Sequence, residues 1–155
     1  MKVNFLKEFP EKINFELFVT TLFNDERPPR GLSGLLDWYS NGKLSNLMMK
    51  DMLTGDIGEH VYITGGSRLP LGRFVIFGMG ASTNLSQKTY SDISSKIVES
   101  IIDMKFNSIC CGLPGFHKLN FEFSRAIEIF LHEIERRKVG FRDMNILWVE
   151  DLVES

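Results

Sequence analysis

The sequence predicts an α/β domain: a mixed, mostly parallel sheet with helices on both faces. Three observations carry this. From Arg73 onward, short apolar runs alternate with segments of helical period, which implies strands joined by right-handed crossovers. The run 73–78 is almost wholly apolar, as in a strand covered on both faces. The chain has 155 residues, 43% hydrophobic and 25% charged, which suits one domain with a full core and no need of staples.

The elements follow in order. Residues 1–6 form a short edge strand, and 15–23, rich in Phe, Val and Thr, a second strand. Pro28-Pro29 makes 24–31 a loop. A helix over 31–40 stops at Asn41-Gly42, and another over 44–53 stops at Thr54-Gly55. Residues 60–64 are a strand, with a turn at Gly65, Gly66 and Pro70 before the strand 73–78. Ile93, Ile97 and Ile101, with Val98 and Ile102, set a helix over 90–104. A short buried strand covers 108–111. Asn120 is placed to cap a helix whose apolar face is Phe123, Ile127, Phe130, Leu131 and Ile134. Arg136, Arg137 and Lys138 suit its negative end, Gly140 follows, and 145–149 is the last strand. Hairpin-like strands in the first half make the sheet mixed.

Composition excludes several function classes. A net charge of -2, with no outstanding basic patch, argues against non-specific binding to nucleic acid or an anionic membrane. Cys110 and Cys111 are adjacent and form no disulfide framework, which fits a reducing compartment. The first ten residues carry Lys7 and Glu8 and no long apolar core, so they are not a signal peptide. No stretch reaches the roughly 20 apolar residues of a membrane span. The expected location is cytoplasmic. His60, His117 and His132 lie far apart and lack ligand spacing, so no metal and no cofactor is expected.

Residues 25–80 carry a recognisable string: DERPPRG, GLLDW, NGKLS, TGDIGE, then a strand ending in a glycine pair. This string resembles the N-terminal domain of the leucyl aminopeptidase (cytosol aminopeptidase) family, and the remaining elements fit its order. The resemblance implies a macro-domain-like three-layer fold over residues 1–155. It does not imply peptidase activity. The family's catalytic machinery, two metal ions held near an NTDAEGR-like segment, lies in a separate C-terminal domain, and no such segment occurs here. The chain is therefore expected to be no enzyme, with no catalytic and no metal residues. What the resemblance implies instead is an assembly or regulatory module that associates with itself or with an aminopeptidase chain.

The alternative is a module for an anionic small molecule. Gly112-Leu113-Pro114-Gly115 lies between a strand and a helix, and CCGLPGF before Ala126-Ile127-Glu128 also looks like the second phosphate loop of macro domains, which bind ADP-ribose. Glycine permits close backbone approach, and free N–H groups can hold an anion. Gly78, Gly80 and Ser82 end the preceding strand of the alternating region, so both turns should meet at one edge of the sheet. The candidate ligand residues are Gly78, Gly80, Ser82, Gly112, Gly115, Phe116 and His117, set against a purely structural role as tight turns. His117 is otherwise a surface residue, and His132 is solvated. Asp25, Glu26 and Arg27 are expected to cap and position the helix after them. Trp38 is a core or interface anchor. Met48, Met49, Met52 and Leu53 serve either the core or a partner surface. The thiols, with no base beside them, are not nucleophiles.

Overall fold

The structure, a computed structural model, describes residues 2–9, 15–64, 73–137, 143–149 and 152. Its strands are β1 (Lys2–Leu6), β2 (Leu17–Phe23), β3 (His60–Thr64), β4 (Arg73–Gly80), β5 (Ser108–Gly112) and β6 (Asp143–Leu147). Its helices are α1 (Gly31–Tyr39), α2 (Lys43–Met49), α3 (Gln87–Asp103) and α4 (Phe123–Arg136). The strands form one six-stranded sheet in the order β1-β6-β5-β2-β4-β3. Every pairing is parallel except β3 with β4.

The order fixes the layers. The chain steps from β4 by α3 to β5, and from β5 by α4 to β6, moving across the sheet in one direction. From β2 by α1 and α2 to β4 it moves in the other. Right-handed crossovers in opposite directions place helices on opposite faces. So α3 and α4 pack together on one face, and α1 and α2 cover the other, giving three layers.

All seven residues of the central strand β2, LFVTTLF, are buried. Phe18 and Phe23 from β2, Phe74 from β4, Tyr90 from α3 and Phe130 from α4 are large, fully buried side chains. Each such burial contributes on the order of 1.5–3 kcal/mol of hydrophobic free energy. Edge strands β1 and β3 alternate toward exposure, as edges should.

Several expectations shift. β4 runs on through Gly80, two residues past the expected end, because a bulge lets Phe23 pair with Gly80 while Leu22 pairs with Gly78. The first two strands make no hairpin with each other; β1 pairs with β6 instead, and the antiparallel pair is β3–β4. Helix α2 ends at Met49, not at 53, since Lys50 leaves the helical register and Asp51 takes φ 56. The cap of α4 is Glu122 rather than Asn120, and no side chain completes it. Helix α3 begins earlier, at Gln87, because the Ser86 hydroxyl accepts the Thr89 N–H. β6 spans 143–147 rather than 145–149. The turn expected at Gly65, Gly66 and Pro70, and the helix end at Lys138 and Gly140, lie outside the described residues.

Candidate functional site at the carboxyl edge of the sheet

Strand β2 lies between β4 and β5, and all three are parallel, so their carboxyl ends share one edge. The sheet therefore brings Gly78, Gly80 and Ser82 to the same edge as Gly112, Gly115, Phe116 and His117, with the residues after Phe23 between them. The turns nearly touch. A Cβ built on Gly115 would lie 2.8 Å from the Phe23 ring and 3.3 Å from Met79 Cε. Gly115 has φ 59, so a left-handed residue is required there.

The space a ligand would need is largely taken by the chain itself. A Cβ on Gly112 would meet Leu32 of α1 at 2.6 Å, and one on Gly80 would meet Ile57 at 2.8 Å. Gly78 faces the backbone of Asp56 and Gly55 with no room for any Cβ. Gly78 also lines a separate cleft of about 280 Å³ against α3, with His60, Phe77, Ile93 and Lys96. Phe116 and His117 are only 2% and 4% exposed, so neither reaches solvent.

Several backbone donors of the two turns are committed as well. The Gly115 N–H is accepted by the Thr21 hydroxyl at 3.0 Å, and the Leu113 N–H by the Leu147 carbonyl at 2.8 Å. The Phe116 N–H is accepted by the Leu113 carbonyl, and the Tyr90 hydroxyl donates to Pro114 O at 2.7 Å. On the other turn, Gly80 N–H donates to Gly55 O at 2.8 Å.

Two adjacent acids at the end of β2 complete the arrangement. Asp25, at the solvent rim, accepts the Ser82 N–H on both carboxylate oxygens at 3.1 Å and the Ser82 hydroxyl at 2.8 Å. Desolvation alone would push its pKa up. The Ser82 hydrogen bonds, with the nearby Lys118 charge, outweigh it and hold the carboxyl below its usual range. Glu26, 4% exposed, reaches the other turn and pairs with His117 Nε2 at 2.8 Å. Its second oxygen, Oε2, is buried with no hydrogen-bond partner. The His117 ring fills the place where Gly31, with φ 61, has no side chain, so α1 starts directly against it.

These contacts correct four expectations. Asp25, Glu26 and Arg27 do not cap the following helix. They reach Ser82, His117 and, from Arg27, the Met48 carbonyl at 3.2 Å. His117 is no surface residue, because an imidazole flanked by Phe23, Phe116 and Gly31 needs the Glu26 acceptor to be buried at all. The methionine cluster divides: Met48 and Leu53 are core, while Met49 and Met52 are 82% and 62% exposed. Trp38 is no core residue. It is 74% exposed and forms one wall of a shallow groove beside Pro28 and Pro29.

The rest of the recognisable string works as tethers. The Asp37 carboxylate accepts the Ser45 N–H at 2.9 Å and hydroxyl at 2.5 Å, locking α1 to α2. Glu59 accepts from Thr54 N, Thr54 Oγ1 and Gly55 N, closing the TGDIGE loop. His132 is exposed, as expected. Cys110 and Cys111 are both buried, and burial pushes both thiols well up, so neither holds a thiolate at neutral pH. Among the described residues no three His, Cys, Asp or Glu converge on a possible metal position. Among them too, no helix is long and apolar enough to cross a membrane.

No protein-family profile matches the sequence. A probable cytosol aminopeptidase of Glaesserella parasuis is 32% identical over 92 residues, covering 57% of this chain and 18% of that protein. The chain thus matches under a fifth of the length of such curated relatives. A Trypanosoma brucei macrodomain solved in complex with ADP superposes with a TM-score of 0.74 at 13% identity, over 98% of this chain and 66% of the other. A mutant leucine aminopeptidase of tomato superposes with a TM-score of 0.65 at 14% identity, over 95% of this chain and 32% of the other. In sequence and in fold, the chain is similar to the N-terminal, macro-domain-like region of the cytosol aminopeptidases.

Proposed function

We propose that the chain is a non-catalytic assembly or regulatory module of the leucyl aminopeptidase N-terminal type, working in the cytoplasm. The observation that carries this is the uncovered apolar side of the α1–α2 region. Trp38, Met49 and Met52 stand in solvent there, each more exposed than Phe5, Ile57 and Tyr62, the other large apolar side chains exposed among the described residues. Trp is enriched at interface anchor points, and Met adapts to a partner's shape. The partner is a second copy of the chain or a separate aminopeptidase chain. Light scattering of the purified protein at tens of micromolar tests the first: a species above monomer mass is expected, and replacing Trp38 by Ser should lower its mass. A monomer alone, failing also to co-elute with an aminopeptidase, would contradict the reading.

The same reading makes the chain no aminopeptidase by itself. An aminoacyl chromogenic substrate with added manganese or zinc should show no turnover above buffer. Activity that co-purifies to a single species with this chain would overturn it.

A second reading keeps the notable edge of the sheet: a phosphate-containing small molecule, such as a nucleotide or ADP-ribose, held by Gly78, Gly80, Ser82, Gly112, Gly115, Phe116 and His117. It is supported by the meeting of the two turns at one edge, and by a structural neighbour that was solved with ADP. Calorimetric titration with ADP-ribose and pyrophosphate tests it.

A further inference from the structure

The crevice between the two turns holds two carboxylates that sequence alone placed elsewhere. We propose that Asp25 and Glu26 are an internal occupant of this crevice, a built-in contact that closes it to phosphate-bearing ligands. This rests on the second reading above, that the edge is a ligand crevice at all.

Four observations carry the proposal. The two acids are adjacent, yet they diverge to opposite turns: Asp25 to Ser82 after β4, Glu26 to His117 after β5. Between them they engage one side-chain donor from each turn, the Ser82 hydroxyl and the His117 imidazole, and Asp25 also lies near the Lys118 charge. Asp25 also takes the Ser82 backbone N–H, and Thr21 takes that of Gly115. Finally, Glu26 Oε2 is buried and unpartnered. A carboxylate oxygen without a donor offers an incoming phosphate no hydrogen bond and repels its charge.

The arrangement is a lock made from the chain rather than an empty pocket. An exogenous anion would have to displace Asp25 from Ser82 and share a desolvated space with Glu26. Neutralising the pair should therefore lift the charge repulsion that an anion meets at this edge.

The experiment uses the full chain as wild type, Asp25→Asn, Glu26→Gln and the double variant. Each is titrated calorimetrically with ADP-ribose and with pyrophosphate at fixed ionic strength. Folding is checked by near-ultraviolet circular dichroism. Wild type should bind neither ligand at millimolar concentration, and the double variant should bind at least one about tenfold or more tighter. Should the double variant not fold, Asp25→Asn, which alters an exposed side chain and keeps an acceptor for Ser82, should still show a measurable gain over wild type. Two results would overturn the proposal, and they differ. Wild type that binds as tightly as the folded variants leaves the crevice a ligand site but removes the lock. Folded variants that bind no better than a silent wild type remove both the lock and the ligand reading.

Discussion

The carboxyl edge of the sheet and the α1–α2 flank are built from neighbouring stretches of chain, yet they are finished in opposite ways. At the edge, polar groups that reach the interior almost all meet a partner from the same chain: Ser82 with Asp25, Glu26 with His117, Thr21 with Gly115. On the flank, Asp37 and Ser45 satisfy each other, but the apolar residues Trp38, Met49 and Met52 are left uncovered. The difference teaches where to look for a partner. A crevice whose donors and acceptors are spent internally has little left to offer, whereas exposed apolar area has free energy still to release on contact.

Substitutions should separate the two regions by size of effect. The largest should come at Gly78, where a Cβ has no place beside the Asp56 and Gly55 backbone. Gly78→Val should cost about 4 kcal/mol or more, or prevent folding, as read by urea unfolding. A variant of near wild-type stability would show that the β4 edge is less filled than described. Next comes Glu26→Ala, which leaves His117 buried without its acceptor. A loss of about 3 kcal/mol is expected, with Glu26→Gln losing clearly less because the amide keeps a hydrogen-bonding group in place. Equal losses would mean that the pair is not what holds the turn.

A smaller effect is expected from acid. Asp25 has a folded pKa below its ordinary 3.8, so it contributes stability that is complete above that value and lost as pH falls through the lower folded value. Because the side chain is exposed, the contribution is modest. Asp25→Asn should flatten the stability profile below about pH 4 and leave it parallel to wild type near pH 7. Identical acid limbs for the two proteins would remove the role assigned to Ser82. The smallest change should come from the flank. Met49→Ser and Met52→Ser should each shift stability by no more than roughly 0.5 kcal/mol, while lowering the apparent mass in light scattering. A large destabilisation there would turn the flank into core and break the contrast.

Much of this architecture was legible in the residues, for reasons that can be named. The alternation from Arg73 onward gave the right kinds and order of strands and helices, though not their ends, because apolar runs such as FVIF have no polar face to present. It also predicted that the two turns would share an edge, since parallel strands align their ends. The partners within that edge were not legible. Glu26 and His117 are 91 residues apart and Asp25 and Ser82 are 57 apart, and nothing local encodes either meeting. One signal was available: an acid pair directly after an apolar strand that ends beside both turns. Trp38 could have been assigned to the surface from spacing. Leu32 and Leu36 define the buried stripe of α1, and a residue two positions further lies on the opposite side. On α2, Met48 lies four residues after the buried Leu44 on the same stripe, and Met49, about 100° further round, falls off it.

The pairing of β1 with β6 has a consequence for how the sheet comes into being. Lys2 lies opposite Asp143, so the two strands meet across a sequence separation of 141. Loop-closure entropy grows only slowly with length, but a contact of such long range raises the contact order and so slows folding. During synthesis β1 emerges long before β6, its neighbour in the sheet. Through that interval a strand with its ladder of N–H and C=O groups unpaired is open to wrong partners. Its sequence, KVNFL, places a lysine and an asparagine among the apolar residues, which discourages such pairing until β6 arrives.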